Sequence, residues 1–308
     1  MDSKSMKPAG LHPLTVARDT VLGHDMEEYP DGIIIPVDKP YRWTSADVIR
    51  KIKFTAARYF RKKNLKVGHA GTLDPLATGV LLVCMGKATR LAESLQAHDK
   101  EYVAGITFGA TTPSYDMEKE IDRYFPYAHI TAGAVQEALG KFIGEQDQIA
   151  PLFSAKSVDG VRAYEIARRM LKSGNARDLD EATAGLIRSS RIRIDSAVLL
   201  SFGTGCEDAA QGTENPPSGG AGTGTAPADG ASSRINVAGN RAAGLPRAVV
   251  RISCSKGTYI RAFARDLGEA LGSGAYLDSL QRSRSGDFNV RDALSMDEVL
   301  GILSVHDS

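Results

Sequence analysis

Apolar residues recur along this chain with two spacings, and together they predict an alternation of strands and helices. Ile33, Ile34, Ile35 and Val37 form a compact apolar run that ends at Asp38-Lys39-Pro40, which reads as a strand entering a turn. Thr44 or Ser45 can cap the helix that follows, whose apolar positions Val48, Ile49, Ile52, Tyr59 and Phe60 recur near helical spacing. Val80 to Met85 is continuously apolar, as in a strand buried on both faces, and Thr89 to Gln96 can form a short helix. Between Lys100 and Gly109 the positions Tyr102, Ala104, Ile106 and Phe108 alternate on one face, the mark of a half-buried strand. A helix is predicted behind Thr131 over 131–142. A loop, a turn at Asp159-Gly160 and a helix from Ala163 to Leu171 should follow, closed by Gly174. Ile187 to Phe202 reads as two strands or one long edge strand, and Arg247 to Ser255 as another strand. Ile260, Phe263, Ala264, Leu267 and Leu271 then mark one helix face, with Arg261 off the stripe, and Ser295 with Glu298 forms a capping box opening a helix through Leu303.

The rhythm fails in two places. Residues 1–31 show no sustained period and are expected to be a flexible extension. From Gly203 to Pro246 the chain turns to Gly, Ala, Thr, Ser and Pro, a composition that buries too little surface to offset its ordering entropy. A disordered insertion over 203–246 is therefore expected, inside a single domain formed by 32–202 and 247–308. With 308 residues, 42% of them apolar and 24% charged, the chain has the makeup of an ordinary globular protein. No run approaches a membrane span, and the N-terminus lacks a basic start followed by an apolar segment, so a cytoplasmic location is expected. Cys84, Cys206 and Cys254 are odd in number, without C-x-x-C spacing, and point to reduced thiols rather than disulfides or a metal site.

A formal net charge of +1 does not announce a nucleic-acid binder, and the distribution of charge matters more than the sum. Arg50, Lys51, Lys53, Arg58, Arg61, Lys62, Lys63 and Lys66 follow one another with no acid between them and with Tyr59 and Phe60 interleaved. Such a run is either a solvated helix face or a surface that tracks phosphates. It leads into Gly68-His69-Ala70-Gly71-Thr72-Leu73-Asp74-Pro75-Leu76-Ala77-Thr78-Gly79, then the apolar run, then Gly86-Lys87-Ala88-Thr89-Arg90. Asp74 stands before a proline, which favours extended backbone, and Gly79 follows at once, so a loop is expected there. On local pattern Asp74 is equally a helix N-cap with Pro75 in the first turn, or a carboxylate presented at a strand entrance.

The stretch from Gly68 to Arg90 resembles the signature of the TruB family, the bacterial tRNA pseudouridine-55 synthases. The resemblance extends to Asp38-Lys39-Pro40 with Thr44-Ser45, to the Lys-x-Tyr strand at Tyr102, to Ser154-Ala155-Lys156 with Asp159, Gly160 and Tyr164, to Cys254 through Arg261, and to Leu277 through Gly286. It covers about residues 31–291 apart from the insertion. It implies an α+β fold of the pseudouridine synthase type, a mixed, largely antiparallel sheet with flanking helices and an RNA-binding cleft. It further implies that Asp74 is the catalytic aspartate, held by Arg261, with Lys39 and Tyr259 nearby. Tyr102 would stack on the target uracil, Leu280 would contribute to an apolar wall, and His69 would fill the place of the expelled base. RNA contacts would come from Arg58, Arg61, Lys62, Lys63, Arg90 and Lys156. Ordinary alternatives exist for each: a turn lysine for Lys39, a core aromatic for Tyr102, core for Leu280, a loop histidine for His69 and a solvent-facing helix arginine for Arg261.

The implied reaction breaks the bond from ribose C1′ to uracil N1 and rejoins the base through C5. One carboxylate can suffice, whereas a hydrolytic glycosidase generally needs two. Neither a metal nor any other cofactor is expected, the partner would be the T-stem and T-loop of tRNA, and the chain is expected to act as a monomer. Too few residues follow Arg291 for the small additional RNA-binding domain of many TruB proteins. Two rivals from other classes are an RNA-binding or tRNA-folding module with incidental or no catalysis, and a nucleoside hydrolase, which would need a second acid beside Asp74.

Overall fold

The computed structural model describes residues 10–154, 157–158, 161–163, 165–166, 169, 189–204, 235–240 and 244–304. In chain order its strands are β1 (Leu14–Thr15), β2 (Ile33–Lys39), β3 (Val67–Ala70), β4 (Ala77–Met85), β5 (Lys100–Phe108), β6 (Ala110–Thr111), β7 (Arg123–Tyr124), β8 (Gly144–Gln148), β9 (Ser157–Val158), β10 (Val161–Arg162), β11 (Ser190–Thr204), β12 (Pro246–Cys254), β13 (Ala275–Ser285) and β14 (Phe288–Asn289). The helices are α1 (Ser45–Tyr59), α2 (Ala92–Ala97), α3 (Ala132–Gly140), α4 (Ile260–Ala270) and α5 (Met296–Ile302). Where a single domain was expected, the chain divides into two compact units, Met1–His98 with Arg282–Ser308, and Asp99–Gln281.

In the first unit β4 lies between β2 and β3 and runs antiparallel to both, Ile33 opposite Met85 and Lys39 opposite Gly79 on one side, Val67 opposite Met85 on the other. The continuous apolar run of β4 is thereby accounted for, since Val80 to Met85 are all buried. Helix α1 starts at a capping box, Thr44 accepting from the Asp47 N–H while Asp47 accepts from the Thr44 N–H, and it buries Val48, Ile52, Ala56 and Tyr59. The expectation of a flexible extension up to residue 31 fails from Leu14 onward. There β1 pairs in parallel with β2, and Val16, Leu22 and Met26 join the core. Three scattered apolar anchors carry no period, so pattern alone could not find them.

In the second unit the order is β13-β5-β12-β11-β8, with β5/β12, β12/β11 and β11/β8 antiparallel. The stretch 190–204 is one long strand with two register shifts; Ser190–Ile194 pair with β8 and Ile194–Thr204 with β12, so the two ladders overlap only at Ile194. Helices α3 and α4 cover a core that includes Ile106, Phe108, Val135, Leu139, Val250, Ile252, Phe263 and Leu267. The predicted helix from Ala163 to Leu171 lies mostly outside the described residues, as does the part of the expected insertion over 205–234. The end of that insertion is ordinary packed chain instead: Ala238 and Leu245 are buried, and the side chains of Asn236 and Asn240 donate to the carbonyls of Glu118 and Lys119. The described strands therefore match the mixed, largely antiparallel sheet with flanking helices.

Candidate active site

Asp74 sits in a loop, and the N-cap alternative is excluded because a turn at Pro75-Leu76 leads straight into β4 at Ala77. The loop is held at three points. Before the aspartate, the Ser45 hydroxyl accepts from the Leu73 N–H at 3.0 Å and lies 3.2 Å from the Leu73 carbonyl, to which it can donate. Behind it, the Pro75 carbonyl accepts from the Arg42 N–H at 3.0 Å and from Lys39 Nζ at 3.2 Å. The Asp74 carbonyl itself closes the turn by accepting from the Ala77 N–H. A backbone fixed on both sides holds the Cα of Asp74 in place, one part of what a preorganised carboxylate requires.

Lys39 is fully buried, and its ammonium donates to the carbonyls of Pro40 at 2.9 Å and Trp43 at 2.6 Å as well as to Pro75. Three acceptors match the three donors of an ammonium. Burial pulls its pKa from 10.5 down to about 7, and the negative charges of Asp74 and then Asp38 oppose that pull. Lys39 is therefore no solvent-exposed turn lysine; its ammonium is engaged with the carbonyls of the turn and of the Asp74 loop. Asp38 is itself raised by burial while accepting from the Gly79 N–H at 2.9 Å.

Arg282, at the first-unit end of β13, was not singled out by the sequence. It is 2% exposed, and its guanidinium donates from Nε to the Val80 carbonyl at 2.7 Å and from Nη2 to the Gly71 carbonyl at 3.1 Å. Gly79 adopts φ +97°, and a Cβ there would overlap the backbone of Arg282, so this close approach requires glycine. Arg282 thus ties the start of β4 to the glycine turn that follows His69. His69 is half buried on β3, and its Nδ1 is a buried nitrogen without a hydrogen-bond partner among the described residues. Desolvation and then the Arg282 charge push its pKa below the ordinary value, which favours a neutral ring. A neutral ring stacks on a base without carrying charge into the stack.

The remaining candidates fall as follows. Arg261 on α4 is not solvent-facing; it is 5% exposed, donates to the carbonyls of Ser114 at 3.2 Å and Phe153 at 2.9 Å, and lies 3.9 Å from an Asp116 oxygen. Tyr102 on β5 and Leu280 on β13 are partly buried against the core of the second unit. Tyr259 precedes α4, exchanges two hydrogen bonds between its backbone and the Gln148 side chain, and packs against a small cluster of Ala150, Leu152, Phe153 and Ala163. Arg90 is exposed near the end of a six-residue 3-10 helix, Gly86–Leu91, after β4. Lys156 lies outside the described residues. In the basic run the interleaved aromatics belong to the interior: Tyr59 and Phe60 are each 5% exposed and stack edge to face at 5.0 Å. Among the described residues there is no group of three His, Cys, Asp or Glu side chains fit to hold a metal, and no helix is long and apolar enough to cross a membrane. Cys84 and Cys254 are buried thiols, pushed up to about 11 and about 12 by burial, and Cys206 lies outside the described residues.

Comparison with known proteins adds three findings. Residues 58–204 match the family model described as TruB family pseudouridylate synthase, N-terminal domain. A relative named tRNA pseudouridine synthase B from Phocaeicola vulgatus is 42% identical over 269 residues, which cover 87% of this chain and 92% of that protein. One of the same name from Chloroherpeton thalassium is 35% identical over 273 residues, covering 88% and 90%. Among solved structures, a chain of the "Crystal Structure of a Cbf5-Nop10-Gar1 Complex" superimposes with a TM-score of 0.52 at 24% identity. It is matched over 88% of this chain and 54% of that one, so the present chain spans about half its length, and the likeness is one of fold.

Proposed function

Since the chain belongs to the TruB family of pseudouridylate synthases, we propose that it is a tRNA pseudouridine synthase that isomerises uridine 55 in the T-loop, with Asp74 as the catalytic residue. The relatives named tRNA pseudouridine synthase B support tRNA as substrate. The observation that carries the catalytic assignment is the anchored loop: Asp74 is flanked by a hydroxyl clamp at Leu73 and a buried ammonium at Pro75. A loop tied this closely is out of proportion to a merely solvated carboxylate.

The N1–C1′ bond breaks, the base turns, and a C5–C1′ bond forms; the C5 proton is released and N1 takes one up, so no atoms are gained or lost. The base must first leave its stack at a cost of a few kcal/mol. In this reading His69, neutral and poised on β3, occupies the vacated place, while Tyr102, Leu280, Tyr259 and Arg261 serve the expelled uridine and the aspartate as the family pattern implies. Arg90, Lys156 and, from the basic run, lysines that pair with no acid contribute to holding the RNA, and the enzyme acts as a monomer without a cofactor.

The test is Asp74→Asn, which keeps size and hydrogen-bonding shape but removes the charge and most nucleophilicity. Pseudouridine formation in a single-turnover tritium-release assay on tRNA should vanish while tRNA binding persists, because affinity rests chiefly on phosphate and loop contacts. Turnover at the parent rate would refute Asp74 as the catalytic residue.

A further inference from the structure

Eight cations between Arg50 and Lys66 look equivalent in sequence, but the fold sorts them. Arg50 is bound to Asp47 at 2.8 Å, and Lys62 to Glu27 at 2.8 Å. Arg58 lies 5.6 Å from the ring centre of Phe54. Helix α1 stops at Tyr59, and Arg61, with φ +50°, turns the chain back toward β3. That reversal gathers Lys53 from the helix with Lys63 and Lys66 from the returning segment around a cavity of about 430 Å³, completed by Asn64, Leu65, Val67, Gly68 and Thr89.

The chemistry of this cavity has one sign. Three lysines and one asparagine are among its lining residues, no Asp or Glu is, and buried Leu65 contributes an apolar side chain. No ion pair engages Lys53, Lys63 or Lys66 among the described residues, in contrast to Arg50 and Lys62. A Cβ on Gly68 would meet nothing within 4 Å, so a bulky group can approach the backbone there, and the next residue on the strand is His69. Side chains alternate between the two faces of a strand, so Val67, which also lines the cavity, shares its face of β3 with His69 two residues on, about 7 Å along the strand.

We propose that this cavity is the seat of a backbone phosphate of the substrate RNA, gripped by Lys53, Lys63 and Lys66. The inference rests on the RNA-modifying function above and narrows it: within the basic run these three lysines hold the phosphate, and Arg58 and Lys62 do not. Vacating one phosphate contact lowers the salt dependence of binding by about 0.7 to 0.9 in log–log slope.

The experiment uses the full chain carrying Lys53→Gln, Lys63→Gln and Lys66→Gln together, with Arg58→Gln/Lys62→Gln as its counterpart. Equilibrium binding of unmodified tRNA is measured from low to moderate potassium chloride. For the triple variant the slope should fall by about 0.7 to 0.9, the share of one phosphate, and the affinity at moderate salt by about tenfold. The paired variant should keep nearly the parental slope. An unchanged slope in the triple variant overturns the proposal, and so does an equal loss per charge in both variants, which would mean diffuse attraction rather than a seat. Binding is read without catalysis. A parent protein that binds tRNA but makes no pseudouridine would refute the proposed function and leave this site standing.

Discussion

Replacing Lys39 by Met should change how stability depends on pH, and its size follows from the geometry. Met preserves most of the side-chain volume but removes the ammonium that serves the Pro40, Trp43 and Pro75 carbonyls. In the folded protein the amine titrates at about 7, against 10.5 when exposed. Between those values the unfolded chain holds the proton and the folded chain does not, so stability rises with pH. The penalty for burying the charge is fully present below about 7 and is relieved as pH climbs toward 10.5. Integrated from pH 7 to pH 9, this one group makes the parent more stable by about 2 kcal/mol, since a tenfold difference in proton affinity between the two states is worth about 1.36 kcal/mol. Lys39→Met lacks that rise. Urea unfolding of both proteins at pH 7, 8 and 9 gives the difference directly, because the buried thiols titrate alike in both and cancel. The stability difference should therefore move in the parent's favour by about 2 kcal/mol across the range. Turnover should also fall, because the Pro75 end of the Asp74 loop loses a clamp. Parallel pH profiles for parent and variant would refute the assignment of Lys39 as a buried, Asp74-coupled amine.

Two further outcomes concern the same unit. Gly79→Ala puts a Cβ against the Arg282 backbone at a φ of +97°, so it should lower stability by about 2 kcal/mol or more; a thermal melt matching the parent would show that β4 and Arg282 separate freely. Arg282→Gln removes the charge that helps to hold the His69 pKa down, so NMR titration should show that pKa moving upward. An unmoved titration would leave desolvation as the whole cause.

The division between what is legible in the chain and what is not runs through particular residues. Periodicity locates α1, β4, β5, α3, β12, α4 and α5, because a helix face or a strand face is a local property that repeats every 3.6 or 2 residues. The loop character of Asp74 is legible too, since Pro75 and Gly79 leave no length for a helix. The stretch 14–31 escapes such a reading because Val16, Leu22 and Met26 are anchored singly, without a repeat.

By itself the sequence determined the order of elements, the loop at Asp74 and, through resemblance, the chemistry to look for there. Only the tertiary structure decided that Lys39 is buried, that Arg282 reaches Gly71 and Val80 from some two hundred residues away, and that Lys53, Lys63 and Lys66 separate from the rest of their run. Local pattern reports which face of an element is apolar, but strand register and chain reversal set which distant charges meet, and a buried charge takes its pKa from that meeting.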